Sequence, residues 1–330
     1  MFATLASRAA FGSAALLGAP RLSILIFHRV HRQADPIFPD EPDAAYFDRL
    51  MRFVAGSFLV LPLGRAIDAL AEGTLPKRAL AITFDDGYAD NAEVALPILK
   101  RHGLAASFFV STGFLDGGRM WNDSVIECVR SCGQSDIDLG VFDLGRLSLA
   151  SPALRRKAID SLLPKIKYMG LQDRQDAIRT LQNLAGVAEL PVNLMMRSEQ
   201  VRELHRAGME IGAHTVNHPI LATLEPADAE REIEQGKRQL ETILGAPVEL
   251  LAYPNGRPHR DYDASHVAMA QRLGFRGAVS TAPGVSQSGD DLFQLPRFTP
   301  WDRPIGRWAF RLWLNQRNTQ FERVQQQPPS

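Results

Sequence analysis

The chain has 330 residues, of which 45% are hydrophobic, and its 37 basic side chains balance 37 acidic ones. This length suits one large α/β domain or two small domains, and the hydrophobic share allows a large core. The balanced charge argues against a nucleic-acid partner, which would favour a basic face, and no stretch approaches the ~20 apolar residues of a membrane span.

Two features bear on the location of the protein. The first 20 residues are small and apolar with Arg8 as their only charge, so we assign residues 1–21 to an N-terminal segment that is a short helix or a weak signal peptide. Cys128 and Cys132 lie one turn apart in a helical pattern, and we expect buried thiols of a reducing compartment rather than a disulfide. We therefore predict a cytoplasmic protein.

Strands alternate with helices through the first third of the chain. Leu22 to Val30 is a short apolar run with β-branched residues, which predicts a buried strand with His28 near its C-terminal end. Helical segments and a short strand at Phe58 to Pro62 follow, and the apolar strand Ala79 to Phe84 then runs directly into Asp85 and Asp86. This alternation predicts parallel βαβ units, and in a parallel barrel the carboxyl ends of the strands form the catalytic face.

The pattern changes in the middle of the chain. Between about residues 115 and 197 three segments look helical and no strand is convincing, so we predict a helical insertion on one face of the barrel. Strands then resume, and the last of them, Gln294 to Phe298, bears Arg297. We predict that residues 301–330 are an aromatic and basic C-terminal helix followed by a disordered tail. The helix would pack across the barrel bottom or on a partner, with peripheral membrane contact as the weaker alternative.

Two clusters of side chains carry the chemistry. Adjacent acids at the end of an apolar strand are costly unless a metal ion or a proton occupies them, and a helix N-cap would explain only one of Asp85 and Asp86. His214 and His218 lie four residues apart, a spacing that puts both on one face of a helical turn, where they can bind one metal ion. One Asp with two His leaves a coordination position open for water, as a hydrolytic metal needs.

Three motifs, TFDDGY at 83–88, HTVNH at 214–218 and LAYPNG at 251–256, resemble those of the polysaccharide deacetylases, the NodB-homology domain of carbohydrate esterase family 4. The resemblance covers roughly residues 22–297. It implies an α/β fold, a distorted (β/α) barrel of about seven strands over residues 22–300 that carries the helical insertion. It also implies a hydrolase of carbon–nitrogen amide bonds, not peptide bonds, that removes acetyl groups from N-acetylated amino sugars of a polysaccharide or glycan.

The resemblance also assigns roles within the first two motifs. Asp86, His214 and His218 would hold a divalent metal ion, most readily Zn²⁺, whose bound water is the nucleophile. Asp85 would be the general base that takes a proton from that water. The positive charge of the ion would keep both acids ionised.

The third motif would stabilise the transition state and help to bind substrate. By resemblance, the backbone N–H of Asn255 would face the oxyanion, while proline fixes the turn and glycine permits a close bend. The substrate contacts that we predict are Tyr88, Trp121, Tyr253, Pro254 and Gly256. For Trp121, packing between insertion and barrel is as good an interpretation as stacking on a sugar ring.

The sequence departs from the family pattern at two points. Ala252 stands where the family commonly has an Arg that holds the catalytic Asp, and no histidine follows His266 to supply the usual late catalytic His. We expect Arg297 to orient Asp85 and His28 to be the general acid, as in a branch of the family that acts on exopolysaccharides. A surface ion pair for Arg297 and a structural role for His28 remain the alternatives.

The two departures leave other functions open. An O-acetyl esterase, or a deacetylase of a small or lipid-linked saccharide, would use the same residues. A catalytically weak, metal-containing carbohydrate-binding protein would explain the two missing residues, although the complete set of Asp85, Asp86, His214 and His218 argues against it.

Overall fold

The computed structural model describes residues 19–325. The predicted helix or signal peptide at the N-terminus therefore lies almost wholly outside the described residues, and so does the predicted disorder of residues 326–330. Within residues 19–325, no helix is both long enough and apolar enough to cross a membrane.

Short strands and longer helices alternate along the described chain. The strands are β1 (Ser23–Phe27), β2 (Leu59–Val60), β3 (Ala79–Phe84), β4 (Ser107–Val110), β5 (Asp136–Asp138), β6 (Arg146–Ser148), β7 (Glu210–Ala213), β8 (Leu250–Ala252) and β9 (Gly277–Val279). The helices are α1 (Ala44–Ser57), α2 (Leu63–Ala71), α3 (Leu96–Arg101), α4 (Trp121–Ser131), α5 (Pro152–Lys167), α6 (Leu171–Ala185), α7 (Ser198–Arg206), α8 (Pro226–Leu244), α9 (Ala264–Arg272) and α10 (Ile305–Asn315). A π-helical turn, Asn91–Ala95, leads into α3.

A parallel sheet of seven strands curls into the predicted distorted barrel, which confirms the fold class. Its strand order is β1-β3-β4-β7-β8-β9, and β2 pairs with the start of β3. We predicted a regular last strand at Gln294 to Phe298, but the segment forms only a single bridge, between Val279 and Leu295. Pro296 explains the difference because it lacks the N–H that a ladder needs. The segment still closes the barrel, since Phe298 donates its N–H to Ile24 O of β1 at 2.9 Å.

Alternation along the strands divides the core into two layers. In β3, Leu80, Ile82 and Phe84 belong to the large cluster between the sheet and its helices, while Ala79 and Ala81 point into the barrel. The barrel interior also receives apolar side chains from α2, which covers the end where the strands begin. The opposite end, where the strands finish, is left for polar residues.

The segment between β4 and α7 has a hydrophobic cluster of its own. Side chains from α4, α5 and α6 form this cluster together with Ile37 and Phe38 from the loop after β1. Contrary to our expectation of helices alone, β5 and β6 form an antiparallel hairpin within it. Both strands are only three residues long, so they left no clear alternating pattern in the sequence.

The C-terminal helix α10 packs against the side of the barrel. Its buried Trp308 meets Phe53 of α1 edge-on, with ring centroids 6.1 Å apart. We predicted that this helix crosses the barrel bottom. Its buried side chains belong instead to the cluster between the sheet and its helices, and its C-terminal end reaches the start of β1, where Gln316 donates to Ser23 Oγ. Cys128 and Cys132 are both buried and free, as predicted.

Candidate active site and metal centre

A cavity of about 400 Å³ opens at the carboxyl ends of the strands, between the barrel and the helices α4 to α6. The barrel contributes acids and histidines, and the segment with α4 to α6 closes the opposite side. The barrel residues that line it include His28, Asp85, Asp86, His214, His218 and Asn255. Six of the predicted site residues, from four different strand ends, therefore meet in one place.

Backbone geometry brings two adjacent carboxylates to the same cavity. Successive side chains on a strand point to opposite faces, so Asp85 and Asp86 would separate if β3 continued. Instead Asp86 adopts a left-handed conformation with φ of 77°, which breaks the alternation. Gly87 follows with φ of 91°, and a Cβ atom there would lie 2.9 Å from Cγ1 of Val110. Only glycine fits this turn, which explains the Asp-Asp-Gly sequence.

The two histidines lie on a loop rather than on the helical turn that we predicted. His214 directly follows β7, and both Thr215 and His218 have positive φ, of 64° and 51°. The Thr215 hydroxyl accepts the His218 N–H at 3.1 Å and donates to His214 O at 2.6 Å. Glu232 of α8 accepts the N–H groups of Val216 and Asn217, which holds the loop from outside. This hydrogen-bonded loop brings the rings within 4.7 Å of each other without a helix.

Asp86, His214 and His218 form a group that can hold a metal ion. Nε2 of His214 and Nε2 of His218 lie 3.5 and 3.4 Å from Oδ1 of Asp86. Two ligands of one tetrahedral ion at ~2.1 Å would lie ~3.4 Å apart, whereas a good hydrogen bond would be shorter. Moreover, Oδ1 of Asp86 is buried without a hydrogen-bond partner in the described chain. The donor set, the spacing and the orphaned oxygen all fit a divalent ion.

Hydrogen bonding and burial prepare these ligands. Nδ1 of His214 lies 2.7 Å from Ala252 O, so Nδ1 carries the proton and the lone pair of Nε2 is left for a metal. Burial lowers the pKa of His218 to about 4, which keeps its ring neutral, as a ligand must be. Burial would raise the pKa of Asp86, but the two histidines outweigh it and hold that pKa well below its usual range.

Asp85 is bound by Arg297 rather than by a residue of the third motif. The guanidinium donates to both Asp85 oxygens, at 2.7 and 2.6 Å, and both side chains are almost fully buried. It also donates to Ser280 O and to Thr83 Oγ1, so four hydrogen bonds fix its position. Burial would raise the pKa of Asp85, but the Arg297 charge outweighs it and lowers that pKa. Ala252, where the family commonly has this Arg, is buried in the barrel interior.

His28 is exposed and lines the cavity immediately after β1. Two residues that we did not predict hold its backbone. Asn91 donates to His28 O at 2.8 Å, while Asp90 accepts the Val30 N–H at 3.1 Å and pairs with Arg29 at 2.9 Å. These contacts keep the end of β1 beside the acid pair.

The substrate contacts that we predicted divide into two groups. Tyr88 and Trp121 line the cavity, as does Asn255 of the third motif. Tyr253 does not reach it: its ring is fully buried, stacks on Tyr262 at 4.1 Å and donates its hydroxyl to Phe293 O. A substrate contact by Tyr253 is therefore wrong, because the strand alternation turns its side chain away from the cavity.

The two remaining predicted contacts, Pro254 and Gly256, shape the turn around Asn255 without lining the cavity. Gly256 donates its N–H to Pro254 O at 2.7 Å and has φ of 70°. Their visible contribution is to the backbone of the turn, and a direct contact of either residue with substrate stays a prediction.

Asp123 is the main cavity residue that the sequence did not reveal. It accepts a hydrogen bond from the Tyr88 hydroxyl at 3.1 Å, and its second oxygen is buried without a partner in the described chain. Burial is the largest cause that raises its pKa to about 7, and the charge of Asp86 adds to it. In the sequence, the only indication that Asp123 belongs to the site was its position two residues after Trp121, at the start of α4. Thr281 and the exposed Trp301 also line the cavity and carried no motif.

Comparison with known proteins agrees with this geometry. Residues 72–141 and 174–278, more than half of the chain, match the family described as polysaccharide deacetylase. The chain belongs to the polysaccharide deacetylase family. Its residues 142–173, which include α5, fall between the two matched parts.

Individual relatives are distant. YxkH of Bacillus subtilis (strain 168), whose name places it among the polysaccharide deacetylases, is 20% identical over 67% of this chain and 51% of its own length. The match thus spans about half of that relative. The deacetylase PplD of Streptococcus pyogenes, solved with acetate, is 21% identical with a TM-score of 0.57 and covers 85% of this chain and 92% of its own. IcaB of Ammonifex degensii is 20% identical with a TM-score of 0.57, over 88% and 97% of the two chains. These structures show that the deacetylase fold is shared.

Proposed function

We propose that the protein is a metal-dependent hydrolase that removes acetyl groups from N-acetylated amino sugars of a polysaccharide or glycan. One observation carries the proposal: a buried Asp85–Arg297 pair stands beside an Asp86–His214–His218 group in one cavity. The cavity, about 400 Å³, is within the usual size of a small-ligand site. Family membership and the acetate-bound relative PplD support acetyl transfer to water.

The metal site would make hydrolysis feasible near neutral pH. A divalent ion held by Asp86, His214 and His218, for which zinc suits the donor set best, would lower the pKa of a bound water towards ~7 and polarise the acetyl carbonyl. These three side chains would hold the ion and would leave its side that faces the cavity free for water and substrate. We infer zinc from ligand chemistry alone, and metal analysis of the purified protein tests it.

Asp85 would serve as the general base. Arg297 occupies one lone pair on each carboxylate oxygen, and each oxygen keeps another that can accept a proton from the attacking water. The two parallel bonds also fix the plane of the carboxylate, which a single bond would not do. Arg297 is therefore a positioning residue that takes the place of the missing Arg at residue 252.

Two further groups would complete the reaction. The backbone N–H of Asn255 has no hydrogen-bond partner among the described residues, so it can donate to a developing oxyanion. His28, exposed on the rim of the cavity, would donate a proton to the leaving amine. Within residues 19–325, the other histidines that line this cavity are the two metal ligands and His31, which pairs with Glu41.

Acetate release tests the proposal directly. The full chain should release acetate from a neutral N-acetylglucosamine oligomer, lose this activity with EDTA and regain it with Zn²⁺. Asp85→Asn should lower the rate of release by ~10²-fold or more, whereas Asp48→Asn, a change at an acid of α1 that pairs with Arg101, should not. Release from an O-acetylated oligomer alone would instead show an esterase. Binding of the oligomer without any acetate release, at full metal occupancy, would refute hydrolysis.

A further inference from the structure

Two positive charges on the far side of the cavity lack partners. Lys167 ends α5 and Arg174 lies in the first turns of α6, and both line the cavity opposite the metal group. Among residues 19–325, neither of them forms an ion pair. Unlike the buried acids, these side chains belong to the segment between β4 and α7, which has a hydrophobic cluster of its own.

The other arginines around this part of the cavity already have acidic partners. Arg130 pairs with Asp35 at 2.6 Å, and Arg29 pairs with Asp90 at 2.9 Å. On the acid side Asp85 is held by Arg297. On this side of the cavity, within the described chain, two cations, Lys167 and Arg174, and one acid, Asp123, therefore remain without an ion-pair partner.

Arg174 has the geometry of a binding group. Its guanidinium carbon lies 5.4 Å from the centroid of the Trp121 ring, so the aromatic face holds it in place. Nε of Arg174 is buried and has no hydrogen-bond partner in the described chain. Burial lowers the pKa of Arg174, and no nearby carboxylate offsets this effect. A buried donor without a partner is costly, and an anionic ligand would satisfy it.

The positive charge continues beyond the cavity. A neighbouring hollow of about 230 Å³ shares Leu163 and Lys167 with the cavity. It is also lined by Arg257, by Arg260 and by one acid, the buried Asp261, which accepts the backbone N–H of Arg257. Arg260 donates to the Tyr168 hydroxyl, and both arginines are exposed. Neither forms an ion pair within residues 19–325. In a chain with equal numbers of acids and bases, four unpaired cations along one path are a local feature.

We propose, on the basis of the proposed deacetylase function, that the substrate is an anionic glycan. Its carboxylate or phosphate groups would bind along a cationic track formed by Lys167, Arg174, Arg257 and Arg260. Because this track starts inside the catalytic cavity, the molecule that occupies it is the one whose acetyl group reaches the metal site. The track lies on α5, on α6 and on the barrel turn after Asn255, so the segment with α4 to α6 and this turn together set substrate choice.

Binding of matched oligosaccharides tests the cationic track. The full chain, as Asp85→Asn to prevent turnover, is titrated with a neutral N-acetylglucosamine hexamer and with a hexamer that alternates N-acetylglucosamine and glucuronate. A 6-phosphorylated N-acetylglucosamine hexamer tells phosphate from carboxylate. We expect the double variant Lys167→Gln/Arg174→Gln to bind at least one anionic hexamer with an affinity roughly tenfold lower or more, because each charge-assisted hydrogen bond contributes strongly to binding. Its affinity for the neutral hexamer should stay the same.

Lys165→Gln is the matched control, because it removes the same charge from α5 at a residue that pairs with Asp143 instead. A second pair of changes, Arg257→Gln and Arg260→Gln, alters only exposed side chains and keeps the test valid if the first variant fails to fold. Equal affinity for the neutral and anionic hexamers, or an equal loss in the Lys165→Gln control, would overturn the proposal. The wild-type chain could also bind an anionic hexamer through the cationic track and yet release no acetate. That result would support the cationic track and would refute only the deacetylase function.

Discussion

Replacing Arg297 by Gln tests the most buried interaction of the site. The wild-type guanidinium gives two charge-assisted hydrogen bonds to Asp85, and both side chains are shielded from water. Gln has no charge and cannot reproduce the two parallel bonds. The variant therefore leaves a buried carboxylate without its counter-charge, the condition in which removal of one partner costs most.

The structure sets the size of the expected effect. Breaking a buried ion pair from one side costs about 3–5 kcal/mol, whereas an exposed pair is worth under about 1 kcal/mol. Arg297 lowers the pKa of Asp85 in the folded protein, so the pair stabilises the fold above the ordinary Asp range, and this contribution is lost as the pH falls. In the variant, burial raises the pKa of Asp85 instead. The penalty should therefore be full at about pH 8 and smaller at about pH 5, where Asp85 can take up a proton.

A double-mutant cycle in urea measures the interaction. The free energies of unfolding of the wild type, Arg297→Gln, Asp85→Asn and the double variant are compared at both pH values, with EDTA present so that metal binding does not enter. We expect a coupling free energy of about 2–4 kcal/mol at the higher pH, the range for two hydrogen bonds to a charged group. A coupling below about 0.5 kcal/mol would show that the pair does not form in solution.

Arg303 offers a matched control, since it pairs with Asp43 at 2.9 Å but is 34% exposed. Arg303→Gln should cost less than about 1 kcal/mol and show little dependence on pH over the same range. A loss as large as that of Arg297→Gln would mean that burial is not what makes the Arg297 pair strong.

Four further results are expected. His214→Ala should lose the bound metal in elemental analysis, and full occupancy in this variant would refute the metal assignment. Asp85→Asn should keep the metal but lower kcat by ~10²-fold or more, as for loss of a general base, and an unchanged rate would reduce the residue to a structural role. His28→Ala should also lower kcat at full metal occupancy and alter the alkaline limb of the pH–rate profile; a wild-type kcat would exclude it as the acid. The pKa of Asp123 is raised to about 7, so its ionisation should make folding less stable as the pH rises from ~4 to ~7. Asp123→Asn should therefore raise Tm at about pH 8 and change it little at about pH 4, and the opposite trend would contradict the assignment.

Local patterns predicted most of the barrel because most of its strands are short apolar runs that are buried on both faces. Such runs, followed by amphipathic helices, leave a strong signal whatever surrounds them. The sequence predicted the secondary structure poorly in segments whose conformation depends on tertiary contacts. The β5–β6 hairpin is too short to show alternation, and the chain around Pro296 pairs with two strands without being a regular strand.

For the site residues, too, some were predictable from local sequence and others depended on tertiary structure. Asp85, Asp86, His214 and His218 stand in continuous motifs, so the sequence could single them out, although not the loop geometry of the histidines. Tyr253 belongs to such a motif too, yet strand alternation buries its ring away from the cavity. Motif membership predicts position along the chain, but not which face a side chain takes.

The sequence by itself determined the barrel, the acid pair, the paired histidines and therefore the family, because these depend on runs of neighbouring residues. Only the tertiary structure decided that Arg297 meets Asp85 across 212 positions of the chain, and that Asp123 and Arg174 share a cavity with the metal group. No local pattern encodes such contacts: they follow from the closure of the barrel and from the docking of α4 to α6 over its open end. Burial at that junction then raises the pKa of Asp123 and leaves Nε of Arg174 without a partner.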